Sequence, residues 1–364
     1  MAEGLARIPV AVEPAYGVVV GARLDLGATV REAVPPGPCV LVTDSNVGPL
    51  HGRSVRERLE AAGFEVLETV EVPAGEASKS LAEHERLVRR LARASLGRDG
   101  TLFALGGGVV GDLAGFAAAS YMRGIRLVML PTTLLASVDS SVGGKVGVDL
   151  PEGKNLVGAF HQPALVVADT DFLASLPPRE VSNGLAEVVK MGLLAGGDFF
   201  RDLALIPEAR AGEPEALIAL TGHSVRYKAS VVAADEREGG LRAVLNYGHT
   251  LGHALEAASG YGLAHGEAVA VGMCFAARLS ERRFGAELLT LHRELLQKAG
   301  LPVEVPELGE EGLRDVLGAL GRDKKRRAAD GAGEHRFILL RAVGEPEWGV
   351  PVSEREVVEV LEGA

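Results

Sequence analysis

The sequence predicts an α/β protein in two parts: a domain of alternating strands and helices over residues 1–178, then a mainly α-helical domain over residues 179–364. Three observations carry this reading. Short β-branched runs alternate with amphipathic stretches through the first half, strand signals nearly vanish after residue 179, and Pro177 and Pro178 mark the change.

In the first half, strands are expected at 16–20, 38–43, 65–72, 101–105, 127–130 and 164–168, with helical periodicity at 47–62, 80–95 and 109–119. That alternation implies a mostly parallel sheet with helices on both faces. In the second half the segments 180–196, 213–234, 248–259, 266–284, 286–299 and 310–320 read as helices. Strand signal returns only at 335–341. No internal repeat or low-complexity tract is present.

Composition narrows the partners. With 364 residues, 47% of them apolar, the chain can bury a large core. A net charge of −11, spread without an acidic tail, argues against nucleic acid or an anionic membrane. The longest apolar run, after Glu267, is about half of what a membrane span needs. Cys39 and Cys274, the only cysteines, are far apart in sequence and suggest neither a disulfide framework nor a thiolate metal site. MAEGLARIPV lacks the apolar core of a signal peptide, so a reducing, cytoplasmic location is expected. The chain has thirty Arg but only eight Lys and four Asn. A sequence that uses Arg for ordinary surface cations should keep Lys and Asn where a compact ammonium or a small amide is needed. Nearly all of them fall in the segments described next.

Residues 101–111, TLFALGGGVVG, run from a strand into Gly106, Gly108 and Gly111 at G-x-G-x-x-G spacing. Such glycines let backbone amides approach a pyrophosphate at a helix N-terminus, although a tight strand–helix turn would need them too. The motif does not follow the first strand and lacks an acidic residue about twenty positions on, so dinucleotide binding here departs from the usual fingerprint. Asp44 ends the strand CVLVTD, with Asn46 two residues later. Its carboxylate can accept from a ribose diol or cap the next helix. Glu76 and Lys79 in PAGEASKS, and Thr132 and Thr133 at another strand end, can reach the same pocket.

The stretch 137–163 carries Asp139, Lys145, Lys154 and Asn155 among glycines and reads as a polar loop suited to a phosphate or carboxylate. In EVSNGLAEVVKMGLL, Glu187 and Lys190 share one face of an apolar helix, as a buried ion pair or as a carboxylate beside a metal. In RAVLNYGHTLGHALE, His249 and His253 are four apart. His265 follows in AHGEAVAVGM, with Glu267 close by. A carboxylate and imidazoles from separate helices suit an open, catalytic metal site. The i,i+4 spacing nominates His249 with His253, but spacing alone does not choose among three histidines. Lys228, Glu238, Arg242 and the Asp323-Lys324-Lys325 triplet add further charge, the triplet reading equally as a solvated basic turn.

Together these segments resemble the 3-dehydroquinate synthase family of the sugar-phosphate cyclases. The resemblance spans about residues 38–340. It rests on GGGVVGDLAGFAAASYMRG, PTTLLASVDSSVGGKVGVDLPEGKNLVGAFHQP, NGLAEVVKMG, LNYGHTLGHALE and HGEAVAVGM. It implies a Rossmann-like NAD-binding domain followed by a helical metal- and substrate-binding domain. Glu187, His249 and His265 would be the ligands of Zn2+ or Co2+. His253 moves to substrate chemistry and proton relay with Glu238, and Lys145 and Lys190 join them as catalytic groups. Asp44, Asn46, Glu76, Lys79, Gly106, Gly107, Gly108, Asp112, Thr132, Thr133 and Lys154 would meet NAD. Asp139, Lys145, Asn155, Lys190, Lys228, Arg242, Asn246, His253 and one of Lys324 or Lys325 would contact substrate. Arg123 would reach the phosphate of a neighbouring subunit, which implies a homodimer.

The implied substrate is 3-deoxy-D-arabino-heptulosonate 7-phosphate (DAHP), anionic at both ends. The implied reaction is transient oxidation by NAD, β-elimination of phosphate, re-reduction, ring opening and internal aldol closure to 3-dehydroquinate. Three rivals remain open at this stage. Another cyclase, making 2-deoxy-scyllo-inosose or a valiolone, would take a substrate without the carboxylate. A metal-dependent polyol dehydrogenase would accumulate NADH. A non-catalytic NAD-binding regulator would not need so many charges on apolar helices.

Overall fold

The computed structural model describes residues 4–259, 262–321 and 334–363. Lys324 and Lys325 lie outside the described residues. In chain order come β1 (Ala6–Val10), β2 (Tyr16–Gly21), α1 (Leu26–Arg31), β3 (Pro38–Asp44), α2 (Arg53–Ala61), β4 (Glu65–Val72), α3 (Leu81–Arg93), β5 (Thr101–Gly106), α4 (Gly108–Ser120), β6 (Arg126–Pro131), β7 (Lys145–Leu150), β8 (Gly153–Phe160) and β9 (Leu165–Asp169). There follow α5 (Pro178–Ala195), α6 (Gly197–Asp202), α7 (Ile206–Arg210), α8 (Pro214–Ala234), α9 (His249–Ala258), α10 (His265–Phe284), α11 (Leu289–Lys298), α12 (Gly309–Gly321), β10 (Glu334–Ala342), β11 (Glu345–Ser353) and α13 (Glu354–Leu361).

The chain divides into two compact units, residues 1–181 with 212–237, and residues 182–211 with 238–364. The single boundary expected at 178/179 therefore needs amending, because α8 belongs with the first unit. Its Ile218, Val225, Ala229 and Val232 share a buried cluster with Val18, Val20, Val166 and Ala168 of the sheet. A helical period announces an amphipathic helix but not which sheet face that helix will cover.

The first unit is a seven-stranded sheet in the order β1-β2-β9-β6-β5-β3-β4, parallel except for the antiparallel pair β1–β2. Alternate residues of each strand feed two cores. Val40, Val42, Leu102 and Ala104 pack with Leu87, Val110 and Leu113 on one face, whereas Leu41, Phe103 and Leu105 pack with Leu26, Val55 and Leu59 on the other. The chain leaves β3 for β4 on one side and returns to β5 on the other, so the strand order reverses between β3 and β5. Ligands bind at such switch points, outside the carboxyl ends of the strands. Asp44 ends β3 and Gly106 ends β5.

The expected polar loop at 137–163 is in large part a hairpin, β7 paired antiparallel with β8. Glycine hid it, since glycine weakens the strand signal yet permits close backbone approach. Gly147 and Gly158 face each other across the ladder, and a Cβ on Gly158 would sit 2.2 Å from the Val146 carbonyl oxygen.

The second unit is mainly helical, with the hairpin β10–β11. β11 escaped the sequence reading because Pro346, Gly349 and Pro351 interrupt its pattern. Helices α9 and α10 approach until their backbones touch. A Cβ on Gly272 would lie 1.9 Å from the Gly248 carbonyl oxygen, and Gly248 itself adopts φ +77°, where β-carbons are disfavoured. Among the described residues no helix is long and apolar enough to cross a membrane.

Candidate functional site

In the second unit three helices each contribute one metal-ligand candidate. Glu187 lies in the middle of α5 and is wholly buried; His249 opens α9 and His265 opens α10. The start of α10 is held against α5, because the Gly266 amide donates to the Asn183 side-chain oxygen. Glu267, close to His265 in sequence, caps the helix: its carboxylate accepts from the Ala264 amide at 2.9 Å.

The Nε2 atoms of His249 and His265 each lie 3.5 Å from Glu187 Oε1. All three ligand atoms lie within 4.8 Å of one another. A tetrahedral ion with bonds of about 2.0–2.1 Å spaces its ligand atoms about 3.3 Å apart, so this cradle has the right size for zinc or cobalt. The second ring nitrogens are also held. His249 Nδ1 is 3.1 Å from the Tyr247 carbonyl, which can only accept, so Nδ1 carries the proton and Nε2 keeps its lone pair. His265 Nδ1 faces Glu256 Oε2 at 3.5 Å. The Lys190 ammonium lies against Glu187 Oε2, but among the described residues no hydrogen bond of regular geometry reaches either buried oxygen of that carboxylate. Orphaned acceptors of this kind call for a cation.

The electrostatics agree. Burial, the largest influence, would favour the protonated Glu187, yet Lys190 and His265 outweigh it and hold the carboxyl below its ordinary range. Burial likewise opposes a charge on His265, but Glu187 and Glu256 overcome it and raise its pKa. In the metal-free chain, the proton on His265 thus stands in for the charge of an ion.

The i,i+4 partner His253 is exposed, one turn after His249, with ring centroids 5.2 Å apart. It belongs to a second group that could hold an ion, His253 with Glu256 and His265. The Glu187 group fits better, because both of its histidines present Nε2 to a buried carboxylate. Arg242 is buried, and Asn246 Nδ2 donates to Glu238 Oε1 at 3.3 Å and to the Ala243 carbonyl at 3.1 Å. Sequence reasoning assigned no role to Glu256, Tyr247 or Asn183. The signal for Glu256 was its place seven residues after His249 and three after His253, on one helical face.

In the first unit several nucleotide and substrate candidates come together. Lys79 pairs with Asp112 at 2.6 Å and also donates to Asn155. Burial drives the Asp112 carboxyl up to about 6, against the pull of Lys79. Lys154 lies 3.9 Å from Glu76. Asn155, on the hairpin, adopts φ +55° and its amide donates to Asp149 Oδ1 at 2.6 Å. Asp44 Oδ1 accepts from the amides of Asn46 and Val47 at 2.8 and 2.9 Å, closing the turn after β3, whereas α2 starts at Arg53 with no side-chain cap. A small cleft is lined by Gly106, Gly107, Gly111, Pro131 and Ser140. A Cβ on Gly107 would meet Thr133 at 3.1 Å, and one on Gly108 would meet Ser140 at 3.1 Å, so these glycines keep the cleft open. Thr132 Oγ1, next to the lining residue Pro131, is buried and has no hydrogen-bond partner among the described residues. That orphaned hydroxyl and the open amide turn fit a phosphate-bearing cofactor.

Lys228 Nζ contacts Asp139 twice, at Oδ1 (2.6 Å) and at the carbonyl (2.7 Å). Lys145 starts β7 and is exposed. Arg123 is exposed on the turn after α4, with φ +68°.

Residues 69–183 match the family described as 3-dehydroquinate synthase N-terminal, and residues 184–326 match 3-dehydroquinate synthase C-terminal. A 3-dehydroquinate synthase of Symbiobacterium thermophilum is 50% identical over 354 residues, covering 95% of this chain and 94% of its own. One from Acidithiobacillus ferrooxidans is 52% identical over 322 residues, covering 86% and 85%. Among solved structures, a 2-deoxy-scyllo-inosose synthase complexed with carbaglucose-6-phosphate, NAD+ and Co2+ has a TM-score of 0.89. It is 30% identical, covering 99% of this chain and all of that one. The 2-epi-5-epi-valiolone synthase of Streptomyces hygroscopicus subsp. jinggangensis 5008, with NAD+ and Zn2+ bound, has a TM-score of 0.84 at 27% identity, covering 96% of each chain. A glycerol dehydrogenase of Schizosaccharomyces pombe, at 18% identity and TM-score 0.64, shares the fold. The fold, the two family matches and the relatives at half identity agree: this chain belongs to the 3-dehydroquinate synthase family.

Proposed function

We propose that the chain is a 3-dehydroquinate synthase, an NAD- and metal-dependent lyase that converts DAHP to 3-dehydroquinate and phosphate. The observation that carries this reading is the buried Glu187 carboxylate faced by two imidazole Nε2 atoms, in a chain half identical to enzymes of that name. Glu187, His249 and His265 would hold Zn2+ or Co2+, and the glycine turn at Gly106–Gly108 with Asp44, Asn46, Glu76, Lys79, Asp112, Thr132, Thr133 and Lys154 would hold NAD. When bound, the ion would acidify a substrate alcohol, and NAD would take and later return the hydride at that carbon.

The protein's own groups bind, orient and move protons. In the second unit, Lys190, Arg242 and Asn246 offer donors to an anionic substrate. His253, exposed and not assigned to the metal, would carry a proton, with Glu238 as its relay. In the first unit, Asp139, Lys145, Asn155 and Lys228 are assigned to substrate. Lys228 enters that role from its pairing with Asp139. Arg123 is proposed to serve a neighbouring subunit of a cytoplasmic homodimer, and its exposure leaves it available.

One assay tests the reading. Purified protein is given DAHP, NAD and Zn2+ or Co2+, and phosphate and 3-dehydroquinate are followed together. Equal release of both, with no net NADH, is expected. Steady NADH without phosphate would identify a polyol dehydrogenase instead.

A further inference from the structure

We propose that Glu256 is a positioning residue for His265: its carboxylate accepts from Nδ1–H and aims Nε2 at the metal cradle. The proposal rests on the reading of Glu187, His249 and His265 as ligands. The His265 ring stands between two carboxylates, with Nε2 3.5 Å from Glu187 and Nδ1 3.5 Å from Glu256. An imidazole ligand whose other nitrogen is held by a carboxylate has a set tautomer, a set orientation and a stronger lone pair.

The two ligand histidines differ in this respect. His249 is held by a neutral backbone carbonyl, whereas His265 is held by a full charge. The need differs too. The His265 side chain is 29% exposed, against 11% for His249, so packing restrains it less. Glu256 is able to supply that restraint because it is itself fixed. It is 5% exposed, and it rides on α9, whose backbone is locked against α10 through Gly248 and Gly272. A carboxylate in such a place costs several kcal/mol unless it is paired, and a leucine would fill a purely structural position more cheaply.

The test uses Co2+ as the probe with Glu256→Gln and Glu256→Leu. Affinity is read by competition with a chelator, and the ligand field is read from the visible absorption bands. Gln keeps an acceptor and loses the charge; Leu loses both. Co2+ affinity should fall about 10-fold in the Gln variant and up to about 100-fold in the Leu variant, with shifted bands and one ion still bound per chain. The metal-free Leu variant should unfold below the wild-type temperature, since His265 loses one of the two carboxylates that face it, so affinity is compared at a temperature where both variants are folded. Wild-type affinity and spectrum in either folded variant would make Glu256 merely structural and overturn the proposal. Loss of all Co2+ in Glu256→Gln, with binding retained in Glu187→Gln, would make Glu256 a direct ligand and overturn it as well. Undiminished Co2+ binding in His265→Ala would instead sink the triad reading itself, a separate outcome.

Discussion

Lowering the pH should destabilise the second unit through one residue, His292. Its ring is wholly buried on α11. Nδ1 lies 2.7 Å from the Leu288 carbonyl and must donate, so Nε2, 2.7 Å from the buried Tyr247 hydroxyl, must accept. Both nitrogens are thus committed in the neutral form. Protonation would set an N–H against an O–H and bury a charge. Burial pulls the pKa from 6.5 down to about 4. The unfolded chain then takes up the proton first as pH falls. The contribution of His292 is therefore complete above about pH 6.5 and is lost as pH falls through 4. From the two pKa values the loss is about 2 kcal/mol by pH 5 and about 3 kcal/mol once both states are protonated. His265, with its raised pKa, has the opposite sign: in the metal-free chain it stabilises below about 6.5 and loses that effect as pH rises through its folded value. Comparison with His292→Gln cancels such background. The assay is urea unfolding at pH 7.5 and 5.0, followed by the single tryptophan, Trp348, which lies in the second unit. The wild-type loss between the two pH values should exceed that of the variant by about 2 kcal/mol. Parallel losses would refute the assignment of a buried neutral imidazole.

Two further outcomes follow from the same unit. His265→Ala should lose most bound metal, while His253→Ala should keep it and lose turnover, as metal analysis beside the phosphate-release assay would show; the reverse result would exchange their roles. Gly272→Ala should cost about 1–3 kcal/mol or more, because the new Cβ must displace the Gly248 carbonyl. That shift carries His249 with it, so metal affinity should fall as well, and a variant with wild-type unfolding temperature and metal content would contradict the close helix contact.

Much of the candidate site was legible in the chain because its spacing is local. The Gly106–Gly108 turn, the Glu187–Lys190 pair on one helical face and the His249–His253 spacing are all short-range patterns, and the structure places each on the element expected for it. The β7–β8 hairpin was not legible, since the glycines that let its strands pack closely also erase the alternation that marks a strand. The domain boundary was only half legible. The change of pattern at the Pro177-Pro178 pair sits near residue 181, where the first unit's main segment ends, yet α8 returns to the sheet because its apolar stripe fits that face.

The sequence by itself determined the alternation of strands and helices in the first half, the helical second half and the family, because periodicity and long motifs are written along the chain. Which histidine faces Glu187 was a tertiary decision. His249 and His253 sit one helical turn apart, but only the packing of α5, α9 and α10 brings His265 Nε2 to the same oxygen as His249 Nε2. The partners of the second nitrogens, the Tyr247 carbonyl and Glu256, were decided there too. Hydrogen bonds and ion pairs depend on distances of a few tenths of an ångström, and those exist only once the helices have closed on one another.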